Sequence, residues 1–264
     1  MTKGKLNMRT PSLLPVLLLA GCVQRAGPVA SESYPVRTAP AEAKSAVPRP
    51  RPAAGSFVVS GFEPFGGRAA NASWITARSW AASDRRFQAV RIPVLWDAPA
   101  GVVRALPGRP PLWIAFGEGS KTFRIETVAR NRRADHPDNH GKHPPAAVIE
   151  PDGPPEVRNP ADFRSLAAAL TERGFPTTLS EDAGAYLCEE MEYTLLRESS
   201  RPGSSLKKAV FIHVPVLGSV LPPGPDGRAR TVDEACLGAF ARALREELTK
   251  SGWLPERARN QLPP

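Results

Sequence analysis

The chain has 264 residues, of which 41% are hydrophobic and 23% are charged, a composition that suits one globular α/β domain with a tail. Its net charge is +9, but residues 1–54 hold eight Lys and Arg against two Glu, a net +6 that leaves +3 for the rest. The remaining sequence has no run of Lys and Arg interleaved with aromatic residues, which argues against a nucleic-acid-binding protein.

The first 22 residues have the pattern of a bacterial export signal. A basic segment at 3–9 precedes an apolar run at 13–19, which is too short to span a membrane as a helix. Leu-Ala-Gly before Cys22 resembles a lipobox, in which the cysteine is acylated; an ordinary signal peptide and a chance cysteine are the alternatives. We therefore predict a lipoprotein signal peptide at 1–21, and a membrane anchor at Cys22 that faces the periplasm of the cell envelope.

The next segment, residues 22–54, is rich in Pro, Ala and Ser and has no apolar periodicity. Such a segment cannot bury enough apolar surface to offset the entropy lost on ordering. We predict a disordered tether here, followed by one catalytic domain at 55–264.

Strand patterns then alternate with helix patterns. Strands are predicted at 56–60, 88–94, 111–117, 123–131, 177–180 and 209–215. Helices are predicted around 75–80, at 96–106, at 162–173, after Cys188 and at 232–250, with a long polar loop at 132–158. This alternation predicts a three-layer α/β/α sandwich around a mostly parallel twisted sheet, with the ligand site at the carboxyl ends of the strands.

Cys188 stands immediately before a helical pattern at 189–197. A cysteine on the first turn of a helix faces unpaired N–H groups and the positive end of the helix dipole, which favour the thiolate. His213, in the apolar strand at 209–215, could deprotonate the thiol and later protonate a leaving amine. On these two residues alone, a buried cysteine and a core histidine would be the better interpretation.

Further segments change that interpretation. They are Val-Val-Ser-Gly-Phe-Glu-Pro-Phe-Gly-Gly at 58–67, Asn-Ala-Ser-Trp at 71–74 and Phe-Arg-Ile-Glu-Thr-Val-Ala-Arg-Asn at 123–131. With the Cys188 and His213 segments, they resemble the pyroglutamyl-peptidase I family of cysteine peptidases from about residue 57 to about residue 248. The resemblance implies removal of an N-terminal pyroglutamyl residue from peptides by a Cys188, His213 and Glu126 triad, without a metal or other cofactor.

The resemblance also implies a pocket for the pyroglutamyl ring. Phe62, Phe65 and Tyr186 would supply aromatic walls, and Asn71 would orient the substrate amide. The alternative for Asn71 is a plain helix N-terminal residue. The glycine-rich loop at 61–67 lacks the motifs of a phosphate-binding loop, so we do not expect it to bind a nucleotide.

The loop at 135–143 holds three of the four histidines beside two aspartates, which could suit zinc. Its Pro and Gly residues favour a turn over a ligand-bearing helix face, and its Pro-Asp-Asn matches a family loop. We therefore predict no metal site.

Three positions depart from the family pattern. His136 replaces an aliphatic residue near the ring pocket, and Glu189 and Glu190 replace less acidic residues directly after the nucleophile. Two carboxylates there would raise the thiol pKa, against the helix dipole, if they approach the sulfur. Cys236 lies in an ordinary amphipathic helix pattern, so we expect it to be a free structural thiol.

Two other functions stay open: a lipid-anchored cysteine amidohydrolase of other specificity, and an inactive binding lipoprotein on the same fold. The intact triad argues against the second. Because family members are typically cytoplasmic, a cytoplasmic location is the alternative to the envelope. The resemblance to bacterial relatives, which are often tetramers, also leaves open a homo-oligomer.

Overall fold

The computed structural model describes residues 57–106 and 110–256. The predicted signal peptide, the lipidation site at Cys22 and the predicted tether lie outside these residues. Within the two described ranges, no helix combines the length and the apolar character that a membrane span requires.

A six-stranded sheet forms the centre of the fold, in the order β2-β1-β3-β8-β4-β7. Its strands are β1 (Phe57–Phe62), β2 (Phe87–Ile92), β3 (Leu112–Ser120), β4 (Phe123–Glu126), β7 (Thr177–Ser180) and β8 (Lys208–Pro215). Four of its five neighbouring pairs are parallel, and only β4 and β8 run antiparallel. The prediction of an α/β fold with a mostly parallel sheet is therefore confirmed.

In the part of the chain that the structure describes, five helices cover the two faces of this sheet. They are α1 (Ala72–Ser83), α2 (Ala98–Ala105), α3 (Arg164–Glu172), α4 (Leu187–Ser199) and α5 (Glu234–Lys250). Alternate strand residues point to opposite faces, so Val59, Ile114 and Ile212 pack with α1, α3 and α5. Val58 and Phe211 pack on the other face, where α2 and α4 lie. The central strands are apolar throughout because both of their faces are buried.

Two predicted element boundaries were wrong in ways that affect the site. The predicted strand at 123–131 leaves the sheet after Glu126, and a separate strand β5 (Val128–Arg130) pairs antiparallel with β6 (Glu156–Arg158), inside the predicted polar loop. The predicted helix at 96–106 begins only at Ala98, because Asp97 has a left-handed backbone with φ of 64°.

The other boundaries differ by at most three residues. The predicted strand at 88–94 ends at Ile92, before Pro93. The last helix begins at Glu234, not at residue 232, because the side chain of Asp233 accepts a hydrogen bond from the Cys236 N–H and caps the helix. A short hairpin of β9 (Val220–Leu221) and β10 (Arg230–Thr231) precedes it.

Candidate active site

Cys188 is the second residue of α4, so the predicted position on a first helical turn is confirmed. The chain reaches it through two left-handed residues, Gly184 with φ of 95° and Ala185 with φ of 54°. A non-glycine residue rarely adopts that conformation, and such strain concentrates at functional sites. Glu189 holds this turn: its carboxylate accepts hydrogen bonds from the backbone N–H groups of Ala185, at 3.4 Å, and Arg130, at 2.6 Å.

His213 and Glu126 form a buried pair on adjacent antiparallel strands. Nδ1 of His213 lies 2.7 Å from Oε1 of Glu126, and the two residues are 3% and 0% exposed. Because Glu126 engages Nδ1, the opposite ring nitrogen, Nε2, is the one available to exchange a proton with a thiol. In the antiparallel register of β4 and β8, Arg124 lies opposite His213 and Glu126 lies opposite Phe211. This register places the Glu126 carboxylate beside the His213 ring.

Arg124 adds a positive charge to this pair. Its guanidinium lies 3.4 Å from Oε1 of Glu126 and 3.5 Å from Nδ1 of His213, and its side chain is one-third exposed. The sequence interpretation did not assign Arg124 any role. Its alternation with Glu126 along one strand was the available signal, because residues two apart share a face of the sheet.

Gly117 leaves the space in which the Cys188 side chain approaches the strand that carries His213. It pairs with His213 in the parallel register between β3 and β8. A Cβ at this position would lie 2.9 Å from Sγ of Cys188 and 2.6 Å from the ring of Phe211. The sulfur therefore sits directly over the strand neighbour of His213, in a space that only glycine leaves open. The structure thus brings the three predicted catalytic residues together where α4 covers the interior strands β3, β8 and β4.

Of the two opposing effects expected at Cys188, the structure shows the one that raises the thiol pKa. The pKa of its thiol is raised to about 12, mainly by burial and then by the carboxyl groups of Glu126, Glu189 and Glu192 in their ionised forms, whereas Arg124 lowers it. Burial and these carboxyl groups act against the favourable end of the α4 dipole. Cys188 is therefore a protonated, half-buried thiol in the resting protein.

The two glutamates after the nucleophile behave differently from each other. Glu189 approaches the thiol closely enough to raise its pKa, as expected. Glu190 instead forms a buried ion pair with Arg133 at 3.1 Å, and burial raises its own pKa to about 7. Its charge is not among those that raise the pKa of Cys188.

Aromatic side chains gather beside the nucleophile. The rings of Phe65 and Tyr186 are 5.6 Å apart, and Trp96 meets Tyr186 edge-on at 5.1 Å. His136, the departure noted from the sequence, lies on the same side, 6.1 Å from the Tyr186 ring. Phe65 is 39% exposed, whereas Phe62 is only 4% exposed and belongs to the core beneath. Phe65 and Tyr186 are thus the two predicted pocket residues with a free aromatic surface.

Trp96 is a site residue that the sequence interpretation missed, because its segment was assigned to a helix. Its indole N–H donates to the backbone oxygen of His136 at 2.9 Å, which ties the two loops around Tyr186 together. The available signal was its position just after β2, since parallel strands place ligand sites at their carboxyl ends.

Asn71 is the N-cap of α1. Its Oδ1 accepts from the N–H and the hydroxyl of Ser73, and its Nδ2 donates to the backbone oxygen of Glu63 at 3.0 Å. This is the helix-terminal role given above as the alternative, and it fixes the start of the loop that carries Phe65. A direct role toward the substrate stays a prediction.

The histidine-rich loop at 135–143 contains one side-chain contact between a histidine and a carboxylate. Nδ1 of His143 lies 2.5 Å from Oδ1 of Asp135, and both side chains are exposed. Among the described residues, no group of three His, Cys, Asp or Glu side chains is arranged to hold a metal ion. Cys236, the other described cysteine, is a half-buried free thiol.

Comparisons with known proteins point to one family. The family model described as pyroglutamyl peptidase matches residues 56–233. A pyrrolidone-carboxylate peptidase from Chromobacterium violaceum is 31% identical over 74% of this chain and 93% of its own length. One from an Enterobacter species is 30% identical over 72% of this chain and 93% of its own length.

Solved structures show the same likeness. The pyrrolidone carboxyl peptidase from Fervidobacterium islandicum superposes with a TM-score of 0.62 at 27% identity, and covers 74% of this chain and 98% of its own. A mutant pyrrolidone carboxyl peptidase from Pyrococcus furiosus gives 0.59 at 26% identity, covering 74% of this chain and 99% of its own.

Proposed function

Because the chain belongs to the pyroglutamyl peptidase family, we propose that it is a cysteine peptidase that removes an N-terminal pyroglutamyl residue from peptides. Cys188 is the nucleophile, His213 the general base and Glu126 the residue that orients the imidazole. The observation that carries this proposal is the buried 2.7 Å contact between His213 and Glu126, beside the strand position that Cys188 covers.

The raised thiol pKa sets the order of the first step. Since Cys188 rests as a thiol, its proton passes to Nε2 of His213 as Sγ attacks the pyroglutamyl carbonyl carbon. The carbon–nitrogen bond then breaks, His213 returns the proton to the departing amine, and a thioester remains on Cys188. Water activated by His213 hydrolyses this thioester and restores the thiol. Glu126 holds Nδ1–H throughout and stabilises the imidazolium.

The first turn of α4 supplies donors for the oxyanion. Its N-cap, Tyr186, makes no side-chain capping hydrogen bond within the described structure, so backbone N–H groups of the turn remain available next to Sγ. Such donors stabilise the negative charge that develops on the carbonyl oxygen in the transition state.

A neutral lactam ring suits the aromatic surface beside the cysteine. Phe65 and Tyr186 form the walls, Trp96 contacts Tyr186 edge-on, and Phe62 packs in the core beside them. A pocket of this kind binds an apolar ring body and leaves the amide edge to a few hydrogen bonds, in which we include Asn71.

The test is a panel of fluorogenic amides of pyroglutamate, proline and alanine with the full-length chain. We expect cleavage of the pyroglutamyl amide, and poor cleavage of the prolyl amide, whose charged amine and missing lactam carbonyl leave the polar edge unpaired. Equal rates on all three would indicate an amidohydrolase of broader specificity. No turnover of any of them would favour the inactive binding protein.

We further propose that Cys22 carries a lipid anchor and places the enzyme at the cell envelope. The support is the basic segment, the short apolar run and the Leu-Ala-Gly-Cys sequence. Cys22→Ala should release the protein from the membrane fraction or leave it with an uncleaved leader. Mass spectrometry that finds an unmodified terminus at another residue would contradict the anchor and favour a soluble periplasmic or cytoplasmic enzyme.

A further inference from the structure

Glu192 is a buried acid that the proposed mechanism leaves unused. It lies four residues after Cys188 in α4 and is only 1% exposed. Neither of its carboxylate oxygens has a hydrogen-bond partner among the described residues. An ionised carboxylate in such a place pays a large desolvation penalty, so the group takes up a proton instead.

The geometry places Glu192 at the level of Glu126. Four residues, or about 6 Å along the helix axis, separate Glu192 from Cys188 in α4. Two strand residues, about 6.6 Å, separate Phe211 from His213 along β8. Phe211 pairs with Glu126, and the Phe211 ring and Sγ of Cys188 both border the space over Gly117. Cys188 therefore packs on the sheet near His213. Glu192, about one helical turn further along α4, packs on the same face of the sheet near Glu126.

Glu126 has an acceptor that lacks a donor. Its Oε1 faces His213 and Arg124, but its Oε2 is buried without a hydrogen-bond partner in the described part of the chain. A neutral carboxylic acid carries one O–H donor, which is what Oε2 of Glu126 requires. The two buried acids are therefore chemically complementary only if one is ionised and the other is protonated.

We propose that Glu192 is a positioning residue that stays protonated and donates a hydrogen bond to Oε2 of Glu126, directly or through one water molecule. This bond keeps the carboxylate of Glu126 turned toward His213. The proposal rests on the proposed function, since it assigns Glu192 a task within the same catalytic site.

The charges around Glu192 favour its neutral form. Burial raises its pKa well above the usual value, and the negative charges of Glu126, Glu189 and Asp182 raise it further, against the single opposing charge of Arg130. Ionised Glu192 would also raise the pKa of the Cys188 thiol, which would hinder attack. A protonated Glu192 avoids both penalties.

The matched variants are Glu192→Gln, which keeps a donor of the same shape without charge, and Glu192→Leu, which removes the donor. In the full-length chain, we expect Glu192→Gln to keep kcat near the wild-type value. Glu192→Leu should lower kcat about tenfold, the effect of one lost hydrogen bond, at unchanged KM. Equal kcat for the two variants, whether both are impaired or both resemble the wild type, would overturn the positioning role.

A second measurement tests the protonation of Glu192 in the absence of substrate, through the pH dependence of stability. The pKa of glutamate in an unfolded chain is about 4.3. Because the folded pKa is higher, protonated Glu192 contributes stability that the wild type loses as pH rises above that value, and Glu192→Gln lacks this one contribution. The difference in denaturation midpoint, Gln variant minus wild type, should therefore widen from pH 4 to pH 8. A difference that stays constant with pH would overturn the protonated state, even if the proposed peptidase activity were absent.

Discussion

Cys188 and Cys236 occupy similar local positions but different surroundings. Cys188 is the second residue of α4 and Cys236 the third of α5, and both are half-buried free thiols. Burial raises the pKa of each thiol, and nearby carboxylates raise it further, Glu126 first at Cys188 and Asp233 at Cys236. In neither case does the helix N-terminus produce a resting thiolate.

The difference lies in what faces each sulfur. The N-cap of α5, Asp233, accepts a hydrogen bond from the Cys236 N–H at 2.7 Å, and Cys236 packs against the apolar core. The first turn of α4 has no such side-chain cap within the described residues, and Cys188 faces the strand neighbour of a buried histidine. A helix terminus therefore makes a nucleophile only when it leaves its N–H groups open and a general base lies across from the sulfur.

The strongest test exchanges each cysteine for serine. Cys188→Ser should lower kcat/KM by about 10⁴-fold or more, since loss of the nucleophile removes the chemical step. Cys236→Ser should retain wild-type turnover of the pyroglutamyl amide, because its thiol packs against the apolar core. Both variants should keep the native circular dichroism spectrum. Activity in Cys188→Ser would refute the cysteine mechanism.

The next largest reductions in kcat should come from changes to the two residues that face Cys188 but not Cys236, His213 and Glu126. His213→Ala should reduce kcat about 10²–10⁴-fold, the usual contribution of a general base. Glu126→Gln should reduce kcat by a smaller factor, because the imidazole remains but loses the anion that stabilises it. Steady-state kinetics across pH would measure both. If Glu126→Gln left kcat and the pH–rate profile unchanged, Glu126 would be only a structural strand residue.

The protonated state of Cys188 can be measured by alkylation with iodoacetamide. Since its pKa is raised to about 12, the thiolate fraction, and with it the labelling rate, should increase about tenfold per pH unit between pH 7 and pH 10. Quantitative mass spectrometry of the Cys188 peptide gives this rate, and the Cys236 peptide serves as an internal reference. A plateau near neutral pH would instead indicate a preformed thiolate and imidazolium pair.

The smallest effect concerns the aromatic surface beside Cys188. Phe65→Ala should lower kcat/KM about tenfold with little change in stability, because this ring is 39% exposed. Phe62→Ala, the matched variant, should cost about 3–5 kcal/mol of stability, since this ring is buried in the core. Substrate kinetics and thermal unfolding separate the two. A stability loss in Phe65→Ala as large as in Phe62→Ala would remove Phe65 from the pocket.

The sequence was sufficient for features that depend on local pattern. The position of Cys188 at a helix start followed from the apolar periodicity after it, and the sheet followed from alternating strand and helix patterns. The direction of β4 did not follow, because a strand pattern reads the same for parallel and antiparallel pairing. The sequence also did not show that the chain leaves the sheet after Glu126, because the alternating strand pattern continues without a break into β5.

The thiol pKa could not be predicted because it depends on contacts between distant segments. Glu126 lies far from Cys188 in the sequence and reaches it only through the pairing of β4 with β8. Glu192 reads as an ordinary helical residue until α4 packs on the sheet and buries it. Trp96 was assigned to a helix, and its place beside Tyr186 depends on a turn at Asp97.

The position of β8 has a consequence for the timing of synthesis. β8 is late in the chain but lies between β3 and β4, so without it the sheet is two unconnected pieces, β2-β1-β3 and β4-β7. Glu126 and His213 are 87 residues apart. At about 5–20 residues per second, a ribosome needs about 4–17 s to pass from one to the other. During that interval the nascent chain contains Glu126, and later also Cys188, but it does not yet contain the general base His213. Peptidase activity can therefore arise only after the strand that joins the two pieces has been made.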